Sequence, residues 1–278
     1  MPAYAFSQVD VFGTRGLDGN PLAVVHAAEG LDDAQLQRFA RWTGLSETAF
    51  LLPPTTEEAD YRVRIFTIEE ELPFAGHPTL GSAYAWLRAG GQSRSDARIV
   101  QECGTGLVPL RRDGDRLAFA APPLTRFEPV AEELASRIAG GLGLRREEVL
   151  DASWLVNGPR WIGVRLESAE RVLGIRPDAA ALGGLDLGLV GPYPPGSETA
   201  YEVRALSPGE IVAEDPVTGS LNAGLAYWLI GAGLVPDHYV ARQGTVLQRR
   251  GRVHIDREDQ TIWVGGRVVD VVRGDVRL

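Results

Sequence analysis

Residues 71–90 and 214–233 are two versions of one segment, 143 positions apart. They agree at Glu71/Glu214, Pro73/Pro216, Gly76/Gly219, Gly81/Gly224, Ala83/Ala226, Tyr84/Tyr227, Ala89/Ala232 and Gly90/Gly233, which is 8 of 20 positions. Glycine and alanine are common in this chain and inflate chance matches. The paired glutamate, proline and tyrosine do not follow from composition. The spacing is about half of the 278-residue length, so it predicts an ancient duplication into two similar halves, each of ordinary domain size. In both copies a glycine (Gly76, Gly219) opens a helical segment. Free backbone N–H groups and the positive end of the helix dipole make such a start an anion cradle. The same glycines could instead serve only as tight turns into buried helices.

Hydrophobic periodicity places the elements. Residues 4–12, 22–25, 45–52 and 61–67 read as strands. Asp32 and Gln35 form a capping-box pattern, and Gly44 closes the helix they open. Pro78 is expected at the first helical position after the first cradle. Residues 79–87 and 221–230 carry almost no polar face, which predicts helices enclosed by other structure. Residues 98–101, 107–111 and 116–120 read as strands completing the first half, with Ala121-Pro122-Pro123 as its boundary. Residues 129–138 read as a helix, and 161–166, 200–206 and most of 244–272 as strand. Residues 178–198, rich in glycine and proline, give no clear pattern.

Composition narrows the chemistry. The net charge of −9 argues against nucleic acid or an anionic membrane as partner. No secretory leader pattern and no bilayer-length apolar run are evident, so the cytoplasm is the expected location. All 28 basic residues are arginine, so neither a lysine Schiff base nor a P-loop lysine is available. The dinucleotide fingerprint and the serine nucleophile elbow are missing. Cys103 stands alone, and His26, His77, His238 and His254 are scattered, so no metal site is expected. Chemistry must come from carboxylates, hydroxyls, His77 and backbone amides.

Four side chains fit that description. Glu47 lies in Gly44-Leu45-Ser46-Glu47-Thr48-Ala49-Phe50, and a carboxylate in apolar surroundings can pass a proton near neutral pH. The alternative is an exposed strand position. His77 and Asp215 flank their cradle glycines in the two repeats and could orient a substrate or assist proton transfer. Equally, His77 could be a helix-start residue bonded to backbone, and Asp215 an ordinary turn acid. Ser220 could simply cap its helix.

The segments Gly-Leu-Ser-Glu-Thr-Ala-Phe (44–50), Gly-His-Pro-Thr (76–79) and Glu-Asp-Pro-Val-Thr-Gly-Ser (214–220) together resemble the phenazine-biosynthesis PhzF-like family. Asp10-Val11-Phe12, residues 19–25 and residues 264–268 also fit, so the resemblance spans essentially the whole chain. It implies the α+β, diaminopimelate-epimerase-like fold. That fold has two similar domains, each a mostly antiparallel sheet rolled into a barrel around a central buried helix, with the site in the cleft between them. The expected division is 1–121, with the terminal strand 268–278, and 122–267. The resemblance assigns Glu47 as the proton shuttle, with His77 and Asp215 lining the same pocket. Gly76, Gly219 and Ser220 would bind the substrate carboxylate. It further implies a homodimer without a cofactor.

Related epimerases and proline racemase-like enzymes place a cysteine before each cradle glycine. Here those positions are Ala75 and Thr218, which excludes two-thiol racemisation. The expectation is a cofactor-independent isomerase that moves a proton on a small carboxylic acid. Its alternatives are an epimerase or racemase pairing Glu47 with Asp215, and a non-catalytic acid-binding protein of the same fold.

Overall fold

In the computed structural model, residues 2–208 and 213–278 are described. The chain divides into two compact units, Met1–Ala120 with Gly265–Leu278, and Ala121–Val264.

The first unit runs β1 (Ala3–Val11), β2 (Asn20–Val25), α1 (Asp33–Thr43), β3 (Thr48–Leu52), β4 (Tyr61–Phe66), β5 (Glu71–Leu72), α2 (Gly76–Arg88), β6 (Arg98–Cys103), β7 (Gly106–Asp113) and β8 (Arg116–Ala120). The second runs β9 (Arg126–Pro129), α3 (Glu132–Gly141), β10 (Asp151–Val156), β11 (Arg160–Arg165), α4 (Ala169–Gly174), α5 (Ala179–Leu182), β12 (Asp186–Pro192), β13 (Tyr201–Leu206), β14 (Glu214–Asp215), α6 (Gly219–Gly231), β15 (His238–Gln243) and β16 (Gly251–Glu258). The last strand, β17 (Thr261–Arg277), returns the chain to the first unit.

The pairing pattern is the same in both. In the first unit β1–β2 is antiparallel, β2–β3 parallel, β3–β4 antiparallel and β4–β6 parallel. In the second, β10–β11, β11–β12, β12–β13 and β13–β15 repeat that order of senses. The short strands β5 and β14 pair with the last two residues of β4 and β13. The first unit closes on itself because β17 pairs with both β1 and β8. A closed sheet has no exposed edges, and its interior must be filled.

Helix α2 fills it. It packs against β1, β2, β3, β4, β6 and β8, and nine of its thirteen residues are buried. Gly81 lets it approach closely, since an added Cβ would stand 2.5 Å from Leu22 Cδ2. Helix α6 is buried in the same manner against β10, β11 and β16. A helix without a polar face is stable only when enclosed, which is why these two segments lie inside their units.

Local signals place the rest. The Asp32–Gln35 capping box is formed by reciprocal bonds of 2.9 and 3.0 Å, and Gly44 ends α1 with φ 65°. Some expectations need correction. Helix α2 starts at Gly76, so Pro78 is its third residue. The expected helix from residue 129 starts at Glu132, because residues 126–129 pair with 153–156 as strand β9. The segment 178–198 contains α5 and β12, whose buried glycines hid the strand pattern. No described helix is long and apolar enough to cross a membrane.

Candidate functional site

In the first unit the site is assembled by the parallel pair β2–β3. Ala23 pairs with Thr48, so Asn20-Pro21 and Glu47 come to the same end of the two strands. Glu47 was expected within a strand. It lies instead in the turn between α1 and β3, where Gly44 has broken the helix and the ladder begins only at Thr48. Thr43 and Thr48 fix that turn with a 3.0 Å hydroxyl contact. The Glu47 side chain is 17% exposed and its Oε2 is 3.5 Å from His77 Nε2.

His77 is the second residue of α2 and is 5% exposed. Burial pushes its pKa down from 6.5 to about 3, opposed by a hydrogen bond with the Pro21 carbonyl. The imidazole is therefore neutral near pH 7, and faces the Glu47 carboxylate as an uncharged ring rather than a cation. Its Nδ1 lies 3.5 Å from Asn20 Nδ2. Asn20 is placed by a tight loop in which buried Asp10 accepts the Gly19 amide at 2.7 Å. In the sequence Asp10 and Asn20 stand only within segments that fit the family resemblance, with no role at the site.

In the second unit the site is the turn from β14 into α6. Arg204, buried on β13, grips Glu214 with two bonds of 3.0 and 2.8 Å. Its remaining nitrogen donates to the carbonyls of Val172 and Ile175. The pair has a counterpart in Arg64 and Glu71 of the first unit, joined at 2.7 and 2.6 Å. The repeated glutamates thus anchor the strand that leads into each cradle. Asp215 follows Glu214, and its Oδ2 accepts the Thr218 hydroxyl.

Gly219 and Ser220 are the first two residues of α6, as Gly76 and His77 are of α2. Ser220 was considered as a cap, but the N-cap is Thr218. Trp161 Nε1 donates to Ser220 Oγ at 3.1 Å, and Asn157 Nδ2 donates to the Ser220 carbonyl at 2.8 Å. An indole N–H only donates, so the serine oxygen is the acceptor and its own hydrogen is left to offer elsewhere. Neither α2 nor α6 has a side-chain cap bond, so the amides of both first turns remain available to an anion. Among the described residues, no three His, Cys, Asp or Glu side chains form a potential metal cluster.

Two repeated units, each enclosing a helix whose uncapped start lies beside a carboxylate, define an α+β protein of the epimerase-like isomerase class. A model of the phenazine biosynthesis-like protein family matches residues 9–274. The chain is 32% identical to antisense-enhancing sequence 1 of Schizosaccharomyces pombe, over 99% of both chains. It is 34% identical to the trans-2,3-dihydro-3-hydroxyanthranilate isomerase of Pseudomonas aeruginosa, over 90% of this chain and 89% of that one. The solved structure of a predicted epimerase from Pseudomonas aeruginosa matches with a TM-score of 0.82 and 28% identity, covering 98% and 99% of the two chains. Further relatives also carry isomerase names. The chain belongs to the phenazine biosynthesis-like family and is an isomerase.

Proposed function

We propose that this isomerase moves a proton between two carbons of a small carboxylic acid, without a cofactor. Glu47 takes the proton as its carboxylate and returns it to another position of the same molecule, so nothing is gained or lost overall. Negative charge that builds on the substrate is met by the uncapped starts of α2 and α6 and by the Ser220 hydroxyl. His77, neutral and buried, orients Glu47, and Asp215 orients the substrate.

The observation that carries this reading is the placement of Glu47 against His77. A carboxylate largely withdrawn from water stands 3.5 Å from a ring that burial keeps uncharged. Such a pair suits proton transfer at neutral pH better than an ion pair, which would hold the carboxylate too firmly. Ala75 and Thr218 lack thiols, so a one-carboxylate shuttle is favoured over racemisation. The homodimer belongs to the same proposal and is read by light scattering.

The test is incubation with trans-2,3-dihydro-3-hydroxyanthranilate, and with a panel of small unsaturated acids, in heavy water. Deuterium should enter the substrate carbon with wild-type protein and not with Glu47→Gln. Binding without exchange for every acid would overturn the proposed proton shift. Exchange that persists unchanged in the variant would remove Glu47 from the mechanism.

A further inference from the structure

Thr218 occupies the N-cap of α6, where a threonine oxygen ordinarily accepts an amide of the first turn. Here it makes no cap bond. Its Oγ1 donates to Asp215 Oδ2 and accepts from Gln243 Nε2 at 3.0 Å. We propose that Gln243 is a positioning residue that draws the Thr218 side chain off the helix start. The Thr218 hydroxyl is thereby turned to the Asp215 carboxylate, which leaves the α6 amides open to the substrate carboxylate. The inference rests on the proposed function for what the open amides bind.

The orientation of the Gln243 amide is determined by its surroundings. Its Oε1 accepts from the Thr218 amide at 3.1 Å and from Asn222 Nδ2 at 2.9 Å. Asn222 is itself held, because its Nδ2 also donates to the Thr218 carbonyl at 2.9 Å. With two N–H donors on its oxygen, the amide must turn its nitrogen toward Thr218 Oγ1 and the Asp215 carbonyl, the latter at 3.1 Å. An amide nitrogen only donates, so Thr218 accepts there and sends its single hydrogen to Asp215. Gln243 is fully buried, so water does not compete for these bonds.

The first unit separates this role from simple packing. Gln101 is also fully buried beneath a central helix. It accepts from Tyr61 Oη at 2.8 Å and donates to Thr79 Oγ1 at 3.0 Å. Thr79 and Asn222 are both fourth residues of their helices, so each unit ties its helix to a buried glutamine. Gln101 stands opposite Tyr61 on β4, however, whereas Ala241 stands opposite Tyr201 and Gln243 opposite Val203. Gln243 is thus two residues further along its strand, where it reaches the turn as well as the helix. The N-cap of α2 is Ala75, which has no hydroxyl to redirect.

The test compares crystal structures and benzoate titrations of the wild type, Gln243→Met, Thr218→Ala and the double variant. In Gln243→Met, Thr218 Oγ1 should swing onto the α6 amides and give up its bond to Asp215. Benzoate affinity should fall about fivefold to tenfold, the scale of one cap bond competing for the same amides. Removing Thr218 as well should restore that affinity, which a loss of packing would not do. Gln243→Glu keeps the acceptor and loses the donor. It should likewise break the Thr218–Asp215 bond, and it serves if the methionine variant does not fold. Thr218 remaining on Asp215 in either folded variant overturns the proposal, as does an additive loss in the double variant. If Thr218 moves as expected but wild-type protein binds no benzoate, Gln243 keeps its role and the carboxylate cradle is what fails.

Discussion

Glu47 and His77 come from different elements, a turn before β3 and the first turn of α2, and their Oε2 and Nε2 atoms lie 3.5 Å apart. If Glu47 is the shuttle, Glu47→Gln keeps its shape and removes its basicity. Turnover should fall by about 10²–10⁴-fold, while acid binding persists. His77→Asn should cost less if, as proposed, the ring orients the carboxylate and does not take the proton. Steady-state rates with the exchanging acid found in heavy water decide the order of the two losses.

The same histidine makes stability depend on pH. Its folded pKa, about 3, lies below its ordinary value of 6.5 because burial disfavours the cation. Below pH 6.5 the unfolded chain therefore binds a proton that the folded chain refuses. The contribution is complete above that value and is lost progressively as pH falls toward about 3. His77→Asn should flatten the stability–pH curve in this window, measured by urea unfolding at a series of pH values. Equal slopes for the two proteins would show that His77 titrates normally.

The paired arginines should respond unequally. Arg204 and Glu214 are 3% and 13% exposed, so Arg204→Met leaves a carboxylate buried without its partner and should cost about 3–5 kcal/mol. Arg64 and Glu71 are 27% and 41% exposed, so Arg64→Met should cost about 0–1 kcal/mol. Chemical denaturation of both variants gives the comparison, and similar losses would contradict it.

Ser220 is aimed by Trp161. In Trp161→Phe the ring still packs but the serine oxygen loses its donor, and the hydroxyl is free to rotate. Benzoate affinity should fall about threefold to tenfold, the worth of one hydrogen bond. Ser220→Ala should remove a comparable amount, and the double variant little more, because the two residues act through one bond.

Matched glycines of the repeat also differ in tightness. A Cβ on Gly81 would meet Leu22 Cδ2 at 2.5 Å and Val11 Cγ2 at 3.0 Å, whereas one on Gly224 would come no nearer than 3.0 Å, to Leu155 Cβ. Gly81→Ala should destabilise by about 1–3 kcal/mol and Gly224→Ala by less. Thermal melts of the two variants test this ranking.

The sequence by itself determined much of this molecule. The repeat at 71–90 and 214–233 marks the two helices at corresponding positions, because a duplicated backbone needs its glycines and its strand-end glutamates in the same places. The absence of a polar face on those helices states that they are enclosed. The capping box at Asp32 and Gln35 and the stop at Gly44 are local chemistry, readable from a few adjacent residues. Glu47, His77 and Asp215 were legible as candidates, each beside a turn that needs explaining.

Tertiary structure decided what those residues touch. Glu47 meets His77 across thirty positions of chain because α2 packs against the parallel pair β2–β3, and neither that packing nor the strand sense is written in the residues of these segments. The partners of Glu71 and Glu214 are arginines on neighbouring strands, fixed by ladder register. Gln243 lies outside every element read from the sequence, just before the run 244–272. Its role arises because β15 lies parallel to β13 and brings the amide under the start of α6, where one buried donor settles which way a threonine turns.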